Sequence, residues 1–184
     1  VTYRPSSSLV WQRLTWELLR IVLPSTLFVV LASLIMNVTD YLQDHISHGE
    51  WLVLLPFLYI TAGLLAISLS VAAKWLLVGV YRAEERPLWC SFVWRSELVT
   101  GLYENFGVMF FIELLRATVF LPWVLRAFGM KIGAQCYIDS TWFTEFDLIT
   151  LGNQVALNEN ANLQTHLFQD RVMACGELNL GDRT

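Results

Sequence analysis

Residues 151–166 read LGNQVALNENANLQTH, with leucines at 151, 157 and 163 recurring every six residues and Gly152, Asn158 and Gln164 following them. Six matches neither the 3.6-residue turn of a helix nor the two-residue alternation of a flat strand. One aliphatic residue in six is the pattern of a triangular coil, in which each side buries one side chain and successive turns stack on a shared core. Ile132-Gly133 with Ile138 opens the same register earlier, and Leu180-Gly181 restarts it later, whereas Trp142 to Ile149 does not fit it. Ala156 and Ala161 suit tight corners, and Asn153, Asn158, Asn160 and Asn162 suit turns with positive φ. The expectation is a left-handed parallel β-helix of hexapeptide-repeat type from 131 to 184. Such a stack needs about three repeats, so further coils are expected after Thr184, in a longer polypeptide of which this chain is a piece.

Upstream the composition is that of a membrane protein. Hydrophobic residues make up 55% of the chain, charged residues only 15%, and mean hydropathy is +0.50, against about 25% charged in a soluble domain. Residues 21–38 carry no charge, and Trp51 to Ala73 form a second uncharged run that continues past Lys74 to Arg82. Each is long enough to cross most of a ~30 Å hydrocarbon core. Arg4, Arg13 and Arg20 precede the first span, and Lys74, Arg82, Arg86 and Arg95 follow the second, while Asp40 to Glu50 between them has no Lys or Arg. The positive-inside bias then sets both ends in the cytoplasm, in a multi-pass protein of the inner membrane with its β-helix on the cytoplasmic side. The connector is expected to be a solvated acidic loop; His45 and His48 lack a third ligand at a fixed spacing, and no metal site is expected.

From Pro87 to Gly129 apolar residues at spacings of three and four interleave with Arg95, Glu97 and Glu104, the pattern of helices lying in the membrane interface. Glu113 and Arg116 form an i, i+3 pair, and the helix carrying them is expected to break before Pro122. Four parts result: a juxtamembrane segment (1–20), a transmembrane helix pair (21–86), interfacial helices (87–130) and the start of the β-helix (131–184). A formal charge of −4 argues against a nucleic-acid partner. Cys90, Cys136 and Cys175 have no paired spacing and read as free thiols.

Ala73-Lys74-Trp75, Pro87-Leu-Trp89, Phe120-Leu-Pro-Trp123, Thr144-Glu-Phe-Asp147 and above all Ala156-Leu-Asn-Glu159 with Leu163-Gln-Thr-His166-Leu-Phe-Gln-Asp170-Arg-Val-Met173 carry a family resemblance. From about Trp51 to Met173 the chain resembles the membrane-anchored, tandem acyltransferase-like C-terminal region of nonribosomal peptide synthetases of the ε-poly-lysine synthetase type. Gln169 and Ala174 depart from that pattern, where an acidic and a basic residue are expected. The resemblance implies amide-bond formation between a carrier-bound aminoacyl thioester and an amine. The chain itself would hold no cofactor: the phosphopantetheine-bound thioester would come from a carrier domain outside it. Its partners would be the carrier and adenylation domains of the same polypeptide, neighbouring β-helical domains and the lipid bilayer, with a homodimer left open.

Aminolysis of a thioester needs a base for the amine proton, a carboxylate to hold that base, and donors for the developing oxyanion. His166, the one His in the β-helical half, is the candidate base, with Asp170 or Glu159 as its orienting carboxylate and Asn158 and Gln164 as polar donors. Asp139, Glu145 and Asp147 form a second acidic group, suited either to a cationic substrate or to a solvated loop face. Two other function classes fit the same pattern, a structural membrane anchor for tandem β-helical domains and a CoA-dependent hexapeptide acetyltransferase.

Overall fold

The computed structural model describes residues 5–184; Arg4 of the first basic flank lies outside them. Helix α1 spans Ser7–His45 and α2 spans His48–Leu77. Among the described residues these two are long and apolar enough to cross a membrane. Their apolar side chains face outward all round: Ile21, Val30, Leu34, Phe57 and Leu64 are all exposed. A helix apolar on every side suits a hydrocarbon surrounding rather than water. The segment 7–20 belongs to the same helix as the first apolar run, with Ser6 capping it through the Leu9 amide at 3.3 Å.

The connector is not a loop. Only Ile46 and Ser47 separate the helices, because Ser47-His48-Gly49-Glu50 is a capping box: the Glu50 amide donates to Ser47 Oγ at 3.4 Å and the Ser47 amide to Glu50 Oε2 at 3.0 Å. Asp40 and Asp44 therefore sit on the last turns of α1. His45 stacks on Tyr41 and His48 on Trp51.

Strand β1 (Glu85–Pro87) leads to α3 (Ser91–Leu102), which continues as a π-helical turn, Tyr103–Val108. The expected two-faced interfacial helix is instead buried against α1 and α2, with Val93, Trp94, Ser96, Leu98, Val99 and Leu102 inside. Its charged side is a joint: Glu97 accepts from Arg13 of α1 at 2.6 Å. A short 3-10 turn (Ile112–Leu115) and α4 (Leu121–Phe128) follow, Pro122 standing in the first turn of α4, where its missing amide donor does no harm.

From residue 131 the chain runs in short parallel ladders. Strand β2 (Lys131–Ile132) pairs with β4 (Ile149–Leu151), and β4 with β8 (Leu178–Leu180); β3 (Tyr137–Ile138) pairs with β5 (Ala156–Leu157), and Phe143 bridges Leu163. Leu151 thus stands between Ile132 and Leu180, and Leu157 beside Ile138, as the six-residue register requires. Leu151 and Leu157 are buried, and Leu163 packs on the same core half-buried.

One corner repeats three times, as Ile-Gly-Ala-Gln135, Leu-Gly-Asn-Gln154 and Leu-Gly-Asp-Arg183. The last residue of each has φ near 60° (57°, 59° and 61°). Gln154 donates to Gln135 at 3.0 Å and Arg183 to Gln154 at 3.3 Å. Asn153 Oδ1 accepts from the Ala134 amide at 2.9 Å, and Asp182 Oδ1 from the Asn153 amide at 2.6 Å. Of the four asparagines expected at positive φ, Asn160 adopts it at 61°, while Asn153 acts as a side-chain acceptor between rungs. A Cβ on Gly133 or Gly152 would strike the backbone of the neighbouring rung, so the corner needs glycine.

Between β5 and β8 a hairpin, β6 (His166–Gln169) and β7 (Val172–Cys175), leaves the stack and pairs antiparallel with β1. It makes the second step of the ladder longer than the first: Lys131 meets Thr150 nineteen residues on, whereas Thr150 meets Asn179 after twenty-nine. One apolar core runs from the coil (Ile138, Phe143, Leu151) through α4 (Leu121, Leu125, Phe128) to α2 (Ala62, Ala66). Helical and coiled parts are therefore one packed body.

Candidate functional site

The site is built where the hairpin leaves the stack. The bridge between Phe143 and Leu163 sets Thr144 and Glu145 beside Thr165 and His166. Glu145, with φ 41° and ψ 54°, occupies the left-handed region, which costs a residue with a Cβ about 1–3 kcal/mol. Its carboxylate is only 2% exposed. It accepts from Thr165 Oγ1 at 2.7 Å and from His166 Nδ1–H at 2.8 Å. Holding the proton on Nδ1 leaves Nε2 as the basic nitrogen. The His166 pKa is raised above the usual imidazole value, chiefly by the hydrogen bond it donates to Glu145 and with help from the Glu145 charge, against the opposing effect of burial.

His166, Glu145, Thr144 and Phe168 form one wall of an open cavity of about 770 Å³. The facing walls come from α1 (Arg20, Pro24, Phe28), from α3 (Glu97, Thr100) and from the π-helical turn (Glu104, Asn105). π-Turns recur at functional sites because the extra residue breaks the regular ladder and re-aims its neighbours. The cavity has the volume of a small-molecule site and joins a buried His–Glu pair to the first apolar helix. Imidazole on carboxylate, in a cleft with apolar walls, can take a proton from a weakly acidic nucleophile and hand it on.

Among the other expected site residues, Asp170 lies with Arg171 at the hairpin tip, both at positive φ (49° and 64°) as a type I′ turn requires. It is exposed and lies four residues beyond His166, at the opposite end of β6 from the His166–Cys175 pair. Glu159 and Asp139 both bind Arg116, at 3.3 and 3.0 Å. Arg116 also holds Glu113 at 2.6 Å, the i, i+3 pair read from the sequence. Asp147 pairs with Lys74 of α2 at 2.7 Å and accepts from the Tyr81 amide at 3.0 Å. Asn158 and Gln164 are exposed and do not line the cavity. The carboxylate that His166 meets is thus Glu145, while Asp170 and Glu159 lie elsewhere. The in-register bridge of Phe143 with Leu163 is the signal that would have located it, and the irregular stretch around 142–149 hid that bridge.

Among the described residues no three His, Cys, Asp or Glu side chains gather as a metal-ligand set. The three cysteines are free, Cys136 Sγ donating to the Gly152 carbonyl at 3.1 Å.

No family model matches the chain, and no solved structure matches it. Over 184 residues, 99% of the chain, it is 36% identical to Delta-poly-L-ornithine synthetase of Acinetobacter baumannii (strain AB307-0294). The aligned region is 14% of that protein, so the chain spans only a small part of the length of the curated relative it matches. The chain is thus homologous to part of a poly-amino-acid synthetase. The relative's name carries ornithine, where the resemblance read from the motifs was to a lysine-polymerising type.

Proposed function

We propose that this chain is a membrane-anchored acyl-transfer unit of a poly-amino-acid synthetase, joining an aminoacyl thioester to the amine of a basic amino acid or growing chain. The observation that carries the reading is the hydrogen-bonded His166–Glu145 pair on the wall of a substrate-sized cavity. The ladders from residue 131 would be the first turns of a left-handed parallel β-helix of the hexapeptide acyltransferase kind.

In the reaction, His166 Nε2 takes a proton from the attacking amine while Glu145 holds the imidazole and stabilises its cation. The nitrogen lone pair adds to the thioester carbonyl, the C–N bond forms, the C–S bond breaks, and the proton on His166 passes to the leaving sulfur. The thioester is substrate, delivered by a carrier domain of the same polypeptide that an adenylation domain has charged. α1 and α2 cross the inner membrane with both ends in the cytoplasm, as the arginines and lysines outside the hairpin favour.

His166→Ala in the complete polypeptide tests the reading. Adenylation and carrier loading should persist while product formation falls by ~10² or more, the usual scale for losing a general base. Unchanged yield at equal membrane abundance would leave the anchor reading in its place. Topology is tested by Gly49→Cys, at a position with open space around it: labelling only from the periplasmic side is expected, and labelling from the cytoplasm would reverse the arrangement.

A further inference from the structure

The charged groups lining the cavity are not balanced one for one. Glu97 is held by Arg13 at 2.6 Å and by Arg20 at 3.5 Å, and Glu145 by His166 at 2.8 Å. Glu104, on the π-helical turn, lines the same cavity and makes no side-chain hydrogen bond or ion pair with any described residue. It is half-buried, and burial without a partner pushes its carboxyl above the ordinary carboxylate range. A desolvated carboxylate facing a cavity is stabilised by a cation that enters it, and the complementary group is an ammonium, which donates three hydrogen bonds.

A diamino acid carries two amines, and aminolysis treats them oppositely. The amine that attacks must be neutral, whereas the other remains an ammonium at neutral pH. The His166–Glu145 pair deals with the first. The second is a cation at neutral pH that the cavity must accommodate against walls that include Pro24 and Phe28.

We propose that Glu104 is a substrate-specificity residue that binds the non-reacting ammonium of a diamino-acid acceptor, setting both the preference for basic amino acids and which of the two amines is presented to His166. This rests on the acyl-transfer reading of the cavity. It adds a substrate-binding carboxylate that is separate from the proton-transfer pair and belongs to the helical half of the molecule.

The test uses the complete polypeptide, with product formation followed as a function of free ornithine or lysine. Glu104→Gln should raise KM for the diamino acid at least tenfold with kcat within about threefold, and Glu104→Asp, which keeps the charge, should restore most of the difference. Products of Glu104→Gln should also contain amide bonds through both amines, read by mass spectrometry and NMR. An unchanged KM, or a loss carried wholly by kcat, overturns the assignment. If Glu104→Gln does not reach the membrane, wild-type protein decides: at least one of norvaline, which lacks the side-chain amine, and 5-aminovalerate, which lacks the α-amine, should compete for acceptor binding at least tenfold less well than ornithine, and competition equal to ornithine by both overturns the proposal. His166→Ala separates the two readings. If that variant keeps its activity, the catalytic reading fails, while a Glu104-dependent preference for ornithine over the weaker of those two analogues in equilibrium binding still upholds the binding site.

Discussion

The helical hairpin and the parallel coil satisfy their backbones in opposite ways. In α1 and α2 the backbone bonds lie within the same helix, interrupted only where Pro24 and Pro56 have no amide hydrogen to give, so the apolar side chains are free to face outward, and most do. In the coil each rung finds its partners in the rung before or after it, as Ile132 does with Leu151 and Leu151 with Leu180, and the aliphatic side chains turn inward. An element of the first kind tolerates a hydrocarbon surrounding and one of the second kind requires neighbours. The cavity with His166 opens along the seam between them, walled by both.

Disrupting the seam should have the largest effect on stability. Lys74 of α2 is fully buried against Asp147 of the coil side, which is 10% exposed. Asp147→Asn leaves that charge buried without its partner and should cost about 3–5 kcal/mol, whereas replacing both members by apolar residues, Lys74→Met with Asp147→Leu, should recover most of it. Thermal unfolding in detergent would show this; equal losses in the single and double variants would mean that the pair does not join the two regions.

The contrast between the regions themselves is tested by one substitution made twice. Leu157→Ala, at a side chain 6% exposed in the coil, should lower stability by about 2–4 kcal/mol. Leu64→Ala in α2, 56% exposed, should stay within about 0.5 kcal/mol in detergent. Leu157→Asp should cost more than Leu157→Ala, because it adds an unpaired buried carboxylate. If the two alanine variants unfold alike, the leucine register of the coil is wrong.

A smaller effect is expected in the pH profile. Glu145 raises the His166 pKa, so the imidazole becomes neutral, and competent as a base, only at a pH above its ordinary value near ~6.5. Activity should therefore rise with pH along a limb set by His166. Glu145→Gln removes the raising contributions and leaves burial, which favours neutral imidazole, so the limb should move to lower pH. The sign for stability is the reverse of that for catalysis. The Glu145–His166 interaction contributes fully below the unfolded pKa and is lost as pH rises through the higher folded value. A limb that does not move in Glu145→Gln would separate Glu145 from His166 in function.

The smallest expected change lies at the repeating corner. Asn153→Ala removes the acceptor for the Ala134 amide and should cost about 1 kcal/mol, measured by the same unfolding assay. No change would mean that water replaces that bond without loss.

Periodicity by itself determined the two apolar helices and the six-residue leucine register, since each follows from a local repeat: an apolar run of spanning length, and one inward side chain per coil side; that Gly133 and Gly152 have no room for a Cβ was decided by the neighbouring rung. The Ser47–Glu50 capping box was also present as a local pattern, although the acidic connector concealed it. Apart from the Glu113–Arg116 pair, partner choice among the charged residues of the site was not decided locally. Asp170 and Glu159 are near His166 in sequence, yet the hairpin turn carries the first away and Arg116 holds the second, while Glu145 arrives from the preceding rung, 21 residues distant. The same holds for Glu97 and Asp147, whose partners Arg13 and Lys74 come from other elements. Hydrophobic period is a property of one segment in one environment, whereas a charge in a low-dielectric seam is settled by whichever opposite group the packing of distant segments brings within about 3–4 Å.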